Sequence, residues 1–182
     1  MAISSMKTKA ISSKLLVGNT YYVDNAFESI QTVIVGAGGT STVTFSSIPS
    51  TYTHLQVRSL VKFAASSFGN IRFNGDTTAA NYRSHVLQGN GTTASAGTAT
   101  TAAYYPYEGN VQWGGYILDI LDYSNTNKYT TTRELGGYDN NGSGLIELSS
   151  NLWMNTSAIN QIVLTTSSTF AQYSSFALYG IK

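Results

Sequence analysis

The chain is divided by turn residues into short segments of β-forming residues, and this pattern restricts the fold more than any other feature of the sequence. Val, Ile, Thr, Tyr and Phe dominate the segments, whereas Gly, Asn, Asp, Ser and Pro lie between them. Many short strands at such spacing in one domain predict a sandwich or a barrel. The predicted strands cover residues 27–35, 41–48, 53–63, 70–74, 82–88, 111–123, 128–136, 144–149, 159–165 and 175–181. The low-complexity stretch 92–102 is predicted to be a mobile surface loop.

Two of the predicted strands are apolar on both faces. Residues 53–63 place apolar side chains on one face and polar side chains on the other, as in a sheet with one face in water. Residues 116–121 and 176–181 are instead apolar on both sides, and a two-layer sandwich covers only one side. We therefore predict that their outer side chains are largely buried against another subunit, a long loop or the N-terminal segment. These side chains are Ile117, Leu121, Tyr179 and Ile181.

The sequence TVIVGAGGTS at residues 32–41 resembles the start of a dinucleotide-binding motif, in which an apolar strand enters glycines spaced as G-x-G-x-x-G. That motif requires a third glycine and a helix whose N-terminal N–H groups face the phosphates. Here Ser41 holds the third position, and residues 41–48 have the alternation of a strand. We therefore predict a β-hairpin with its turn at residues 36–40, and no bound nucleotide or other cofactor.

The composition indicates a nearly neutral protein with an unusual surface. Charged residues make up 10% of the chain and the formal net charge is +1, whereas about a quarter of an average soluble protein is charged. A surface of hydroxyls and amides suits a protein that packs against neighbours. Because the chain lacks a strong electrostatic field, neither nucleic acid nor membrane is expected as a partner. The absence of cysteine excludes disulfides and thiolate metal sites.

The N-terminal segment differs from the rest of the chain. Residues 1–25 are polar and lack strong periodicity, so we predict an extended N-terminal arm there and a β domain in residues 26–182. The arm's apolar cluster is too short for the core of a secretory signal peptide. Because so polar a segment cannot offset its own ordering entropy, we expect the arm to bind another chain. The predicted contact residues are Lys7, Lys9, Lys14, Leu15, Leu16 and Val17.

A series of short motifs after residue 26 resembles a family of tailed-bacteriophage virion proteins. The motifs include Val43-Thr44-Phe45-Ser46-Ser47-Ile48-Pro49, Arg72-Phe73-Asn74-Gly75-Asp76, Trp153 and the ending Phe176-Ala177-Leu178-Tyr179-Gly180-Ile181. Members occur as short stand-alone proteins and as terminal domains of tail-fibre-like proteins. The resemblance implies a jelly-roll-like antiparallel β-sandwich displayed on a virion. We expect its partners to be major capsid or tail proteins and further copies of the chain. The arm lies outside the resemblance.

No catalytic group or metal site is predicted. The two histidines, His54 and His85, have no cysteine partners and no G-x-S-x-G nucleophile motif, so surface or turn roles are favoured. A glycosidase pair formed across strands by Glu108 and Glu134 has no support in the sequence. We therefore expect a protein that is not an enzyme.

Residues 139–144 resemble the first half of a calcium-binding loop, with Glu147 at the ninth position. The twelfth position is Ser150, where such a loop requires a bidentate glutamate, and no flanking helices are predicted. A β-turn is therefore favoured over a calcium site.

The segment 104–116 is dense in aromatic residues and contains Pro and Gly. Aromatic rings on such a loop can stack on sugars, and they are also enriched in protein interfaces. Packing in the core or between subunits is the favoured interpretation, and binding of a host glycan is the alternative. The candidates are Tyr104, Tyr105, Tyr107 and Trp113.

These observations favour a non-enzymatic structural protein of the virion. The expected role is capsid decoration, or cement, with the N-terminal arm anchored on a neighbour, because the chain lacks the long repetitive shaft of a fibre. The alternative is a receptor-binding tail or fibre-tip domain that binds glycans of the host surface.

Overall fold

The computed structural model describes residues 26–107 and 109–182, together with the backbone of residues 14–17 and 20–23. Strands make up most of the described chain, and a single 3₁₀ turn at Ala79–Asn81 is its one helical element. The strands are β1 Lys14–Val17, β2 Thr20–Val23, β3 Phe27–Ile34, β4 Thr40–Phe45, β5 His54–Val61, β6 Gly69–Phe73, β7 Tyr82–Gly89, β8 Ala94–Ala99, β9 Gly114–Leu121, β10 Thr130–Asp139, β11 Gly144–Trp153, β12 Ile162–Phe170 and β13 Ser175–Ile181.

Two antiparallel sheets of unequal size form the domain. The large sheet has eight strands in the order β3-β13-β5-β9-β10-β11-β7-β8, and the small sheet has three in the order β4-β12-β6. The prediction of an all-β sandwich is confirmed. The ten strands predicted from the sequence are all present, because their alternation of apolar and polar residues matches the two faces of a sheet that buries one of them.

The small sheet packs on one half of the large sheet. Their facing side chains form one apolar core, in which the Phe170 ring lies 5.2 Å from that of Phe63 and 5.0 Å from that of Phe176. A third ring contact of 5.4 Å joins Phe73 of β6 to Trp153 of β11. All five rings are at most 1% exposed. The core therefore lies between β4, β12 and β6 on one side and β5, β9, β13 and the end of β11 on the other.

The other half of the large sheet is covered by the aromatic-rich segment instead of by a strand layer. The Asn151 side chain clamps the backbone of Tyr104, accepting from its N–H at 3.1 Å and donating to its carbonyl at 3.1 Å. Tyr105 is fully buried, and its hydroxyl lies 2.7 Å from Ser59 Oγ. Gly69 allows the close approach, because a Cβ there would lie 2.3 Å from the Tyr105 carbonyl oxygen. The side chain of Asn151, on the inner face of β11, thus holds the aromatic-rich segment against the large sheet.

The prediction of a hairpin at residues 36–40 is wrong in its pairing. β3 belongs to the large sheet and β4 to the small sheet, so the chain turns a corner between layers. Gly38 and Gly39 make the corner with φ angles of +87° and +72°, which only glycine adopts readily. The helix that a dinucleotide-binding motif needs is not there, because Thr40–Phe45 is a strand.

Two further segments differ from the expectation. Residues 94–99, predicted to be part of a mobile loop, form edge strand β8, which pairs with β7 so that Leu87 lies opposite Ala96. Small residues have little intrinsic strand preference, and here the hydrogen bonds offered by β7 decide the conformation. Within the predicted arm, β1 and β2 form an antiparallel hairpin in which Leu15 lies opposite Tyr22.

Candidate interaction surface

The outer face of the large sheet, away from the core, is apolar and uncovered in the described chain. Six aliphatic side chains on it are between 40% and 63% exposed. Each belongs to a strand whose alternate residues are buried on the inner face, so the period of two places all six on the outside. We call this surface the outer belt. The six side chains are Leu60, Leu87, Ile117, Leu135, Ile146 and Leu148.

Strand register arranges the outer belt in two parallel rows. The first row is a ridge of large side chains that are cross-strand partners from β7 to β9, namely Leu87, Leu148, Leu135 and Ile117. The second row, two residues further along each strand, contains three glycines and two large residues, in the order Gly89, Ile146, Gly137, Gly115 and Leu60. Directly opposed side chains on one face lie about 5 Å apart, so each row is continuous.

A groove follows the second row. Its volume is about 830 Å³, and the side chains of Leu60, Trp113, Leu135 and Ile146 are among its walls. The floor is open because a Cβ added to Gly115 would meet no atom within 4 Å. The outer belt therefore combines a ridge with a groove of similar length.

On β9, β10 and β11, charged residues lie beside the two rows and not in them. On β5, Arg58 continues the first row, because it is the register partner of Ile117. On one side are Arg133 of β10 and its cross-strand partner Asp119 of β9. On the other side is Asp139, also on β10 and exposed. The Asp119 carboxylate accepts a hydrogen bond of 2.7 Å from Gln56, which holds it at the surface of the sheet.

The predicted packing residues all lie on this outer face. Ile117 is part of the outer belt and is 40% exposed, whereas Leu121, Tyr179 and Ile181 are half-buried. The Arg58 guanidinium covers the Tyr179 ring at 5.5 Å from its centroid. Contact of these side chains with a second chain stays a prediction.

The residues predicted for the arm fall largely outside the described part of the chain. Lys7 and Lys9 lie outside it altogether. Lys14, Leu15, Leu16 and Val17 form strand β1, for which the backbone pairing is described and the side chains are not. Their expected contact with another chain stays a prediction.

The four aromatic candidates separate into three environments. Tyr105 lies in the core, so its ring is not available to a glycan or a partner. Tyr104 and Tyr107 are half-buried and form a cluster with Phe68, with ring centroids 5.0 to 5.5 Å apart. Trp113 is 41% exposed and borders the groove of the outer belt.

A buried carboxyl pair was not predicted from the sequence. Glu134 and Glu147 are 0% and 1% exposed on the inner face of β10 and β11. Ser149 Oγ donates to Glu134 Oε2 at 2.9 Å, and the Tyr107 N–H donates to Glu147 Oε1 at 3.0 Å. Burial raises the pKa of Glu134 well above its ordinary value, and repulsion from Glu147 raises the pKa further. The two carboxyl groups are thus enclosed inside the domain, where Glu147 holds the backbone of the aromatic-rich segment.

Glu147, the ninth position of the calcium-loop alternative, lies on the inner face of β11, whereas residues 139–144 form the end of β10, a turn and the first residue of β11. The Asp139 carboxylate accepts a hydrogen bond of 2.8 Å from the Asn141 N–H, which makes a local turn between β10 and β11. Glu147 points into the interior and binds the Tyr107 backbone. Among the described residues, no three His, Cys, Asp or Glu side chains lie close enough together to hold a metal ion.

The two histidines occupy separate places on the large sheet. His54 Nδ1 accepts a hydrogen bond of 2.9 Å from the Asp122 N–H. The same Nδ1 lies 3.3 Å from an oxygen of the Asp122 carboxylate, which also forms an ion pair with Lys128. His85 is exposed on the outer face of β7.

Comparison with known protein families, with curated protein sequences and with solved structures finds no match for this chain. In the described residues, no helix has the length and apolar character needed to cross a membrane.

Proposed function

We propose that the chain is a non-enzymatic structural protein of a phage virion, and specifically a capsid decoration protein. The observation that carries this proposal is the outer belt, an apolar surface that spans the central strands of a sheet whose other face is already buried. Monomeric proteins rarely leave such a surface in water, and large exposed apolar patches mark sites of assembly. The resemblance to tailed-phage virion proteins supports the particle as the place of assembly.

The energy available from the outer belt is sufficient for association. Full burial of a Leu or Ile side chain contributes about 1.5–3 kcal/mol, so covering the exposed half of six such side chains contributes roughly 6 kcal/mol. Binding partners must also offset their loss of translational and rotational freedom. An additional attachment through the N-terminal segment, with Leu15, Leu16 and Val17 as its apolar anchor, would supply the remainder.

Binding to particles tests the proposal. Purified full-length protein is added to phage particles stripped of it, and the bound copies are counted at low and high salt. The double variant Leu15→Asp/Leu16→Asp is expected to lose binding, since two charges cannot occupy an apolar anchor site. The double variant Thr126→Asp/Asn127→Asp adds the same charge on an exposed loop and should bind as the unmodified chain does. Failure of the unmodified chain to bind capsids would refute the decoration role.

A receptor-binding tip domain is the second candidate, and the cluster of Phe68, Tyr104 and Tyr107 favours it. Phe68 is 48% exposed at the edge of this cluster, and an exposed ring can pack against the C–H face of a sugar. The Phe68→Ala variant should then lose binding to host-surface glycans. Phe27→Ala removes a ring of similar exposure outside the cluster and serves as its control. Glycan binding by the unmodified chain that depends on Phe68 would move the assignment to a tail or fibre tip.

A further inference from the structure

We infer that the outer belt binds a second copy of this chain, face to face, about a twofold axis that runs across the strands between the ridge and the groove. This inference deepens the proposed function, because it names a partner for the outer belt. It rests on the proposed function only in that both use the same surface. It follows from three properties of the outer face, which are its shape, its charges and its area.

The shape is complementary to itself about this axis. A twofold axis that crosses β10 at Gly136 brings Leu135 of one copy opposite Gly137 of the other. The same axis crosses β9 at Tyr116, because Tyr116 is the register partner of Gly136. It therefore brings Ile117 opposite Gly115. On β9 and β10 the ridge of each copy thus enters the groove of the other, and every such contact occurs twice, as a twofold interface requires.

The next strand gives an apolar contact under the same operation. Gly136 pairs with Glu147 on β11, so the axis crosses β11 there. Leu148 of one copy then lies opposite Ile146 of the other. These two side chains are 44% and 63% exposed in the single chain, and mutual contact would cover both.

The charges beside the outer belt are complementary under the same axis. Arg133 and Asp139 lie three residues on either side of Gly136 on β10, so the axis brings Arg133 of one copy opposite Asp139 of the other. The symmetry makes two such pairs of opposite charge. The axis crosses β5 at Ser59, the register partner of Tyr116, so Leu60 of one copy lies opposite Arg58 of the other. The Arg58 guanidinium lies over the Phe27 and Tyr179 rings of its own chain, so the apolar contact between the copies ends at β9.

The area agrees with a reversible dimer. Five strands about 4.8 Å apart and four rows about 6.8 Å apart give a footprint of roughly 24 by 27 Å, or about 650 Å² per copy. Two copies then bury about 1,300 Å², which is at the lower end of specific interfaces. Sheets that pack face to face are rotated by about 30°, so the central strands β9, β10 and β11 make the closest contacts. A dissociation constant of roughly micromolar size is expected.

The molecular mass of the full chain in solution tests whether the ridge and the groove of two copies bind each other. Light scattering and sedimentation should give twice the 19.5 kDa mass of one chain at high concentration. Gly115→Leu fills the groove and is expected to weaken the dimer at least about tenfold, which is roughly 1.4 kcal/mol. Gly36→Leu is the matched control, because a Cβ at Gly36 also meets no atom within 4 Å but lies off the sheet face. Equal weakening by both variants would refute the proposed contact.

Charge exchange tests the arrangement. Arg133→Asp and Asp139→Arg each replace two attractions with two repulsions, and each should weaken the dimer about tenfold. The combined variant restores opposite charges across the axis and should bind at least about tenfold more tightly than Arg133→Asp alone, because both variants carry the same like-charge contact with Asp119 of their own chain. Far-ultraviolet circular dichroism of each variant confirms that it is folded. Failure of the combined variant to recover affinity would overturn the twofold arrangement.

Two outcomes separate this inference from the proposed function. A chain that stays monomeric up to about 100 μM overturns the second copy as the partner. If such a monomer still binds particles, the decoration role stands and a virion protein covers the outer belt. If acrylamide fails to quench the fluorescence of Trp113 in such a monomer, the chain's own N-terminal segment covers the belt and the inference is also overturned.

Discussion

Asp76 connects the turn after β6 to the core, and its replacement gives a quantitative test of the fold. The carboxylate accepts three hydrogen bonds, from the Thr78 N–H at 2.9 Å, the Asn81 side chain at 2.8 Å and the Trp153 indole N–H at 2.8 Å. Trp153 is 1% exposed, and its N–H has this carboxylate as its hydrogen-bond partner in the folded chain. Asp76→Ala therefore leaves a buried donor unpaired.

The expected cost is a large share of the stability of the domain. An unpaired buried donor costs about 1–3 kcal/mol, and hydrogen bonds to a charged group contribute about 1.5–3 kcal/mol each where they are shielded from water. Asp76 is partly exposed, so we expect a total of about 3 kcal/mol for Asp76→Ala. In a domain of this size, that corresponds to a fall in Tm of roughly 6–12 °C. Asp76→Asn keeps an acceptor for the indole and should cost about half as much.

The effect of Asp76 should depend on pH in a defined direction. Partial burial by itself would raise the pKa of this carboxyl, but the hydrogen bonds from Asn81, Trp153 and Thr78 lower the pKa from 3.8 to about 2. A group whose pKa is lower in the folded chain contributes stability above the unfolded value, and this contribution is lost as the pH falls. The difference in the free energy of unfolding between the unmodified chain and Asp76→Ala should thus be constant above about pH 5. It should shrink between about pH 4 and pH 2.

Urea unfolding followed by tryptophan fluorescence measures both effects, since Trp153 reports on the site itself. The variant Trp113→Phe provides a background in which Trp153 is the single indole. Two results would show that the turn is not held by these hydrogen bonds. One is a loss of unfolding free energy below about 0.5 kcal/mol for Asp76→Ala at pH 7, and the other is a loss that does not shrink toward pH 2.

Two other substitutions test the interior and the corner. Because burial and Glu147 raise the pKa of Glu134, the folded chain loses stability as the pH rises above the unfolded value. Glu134→Gln should therefore be more stable than the unmodified chain at neutral pH, by an amount that decreases on acidification to about pH 4, and urea unfolding at several pH values measures it. Gly39→Ala should lower stability by about 1–3 kcal/mol, because the residue has a φ of +72° and a Cβ would lie 2.8 Å from the Phe170 carbonyl oxygen. Thermal unfolding beside Gly36→Ala, which meets no atom, isolates this effect; equal Tm values for the two variants would contradict it.

The sequence by itself determined the class of fold and the direction in which most side chains point. Alternation within each segment is a local property, since successive residues of a strand face opposite sides wherever the strand lies. It was thus sufficient to predict ten strands, the all-β sandwich and the apolar character of the outer positions in β9 and β13. The pattern at Thr40–Phe45 was likewise enough to distinguish a strand from the helix of a nucleotide-binding motif.

Only the tertiary structure decided which residues meet across strands. Register depends on pairings between segments distant in sequence, and these pairings place Glu134 beside Glu147, add β8 at the edge of β7 and send β3 and β4 to different sheets. The outer belt arises in the same way. Leu87, Leu148, Leu135 and Ile117 are unremarkable in their separate segments, and they become one continuous surface because four strands align them. Local sequence encodes the face of a strand, whereas neighbours on that face are set by long-range hydrogen bonding.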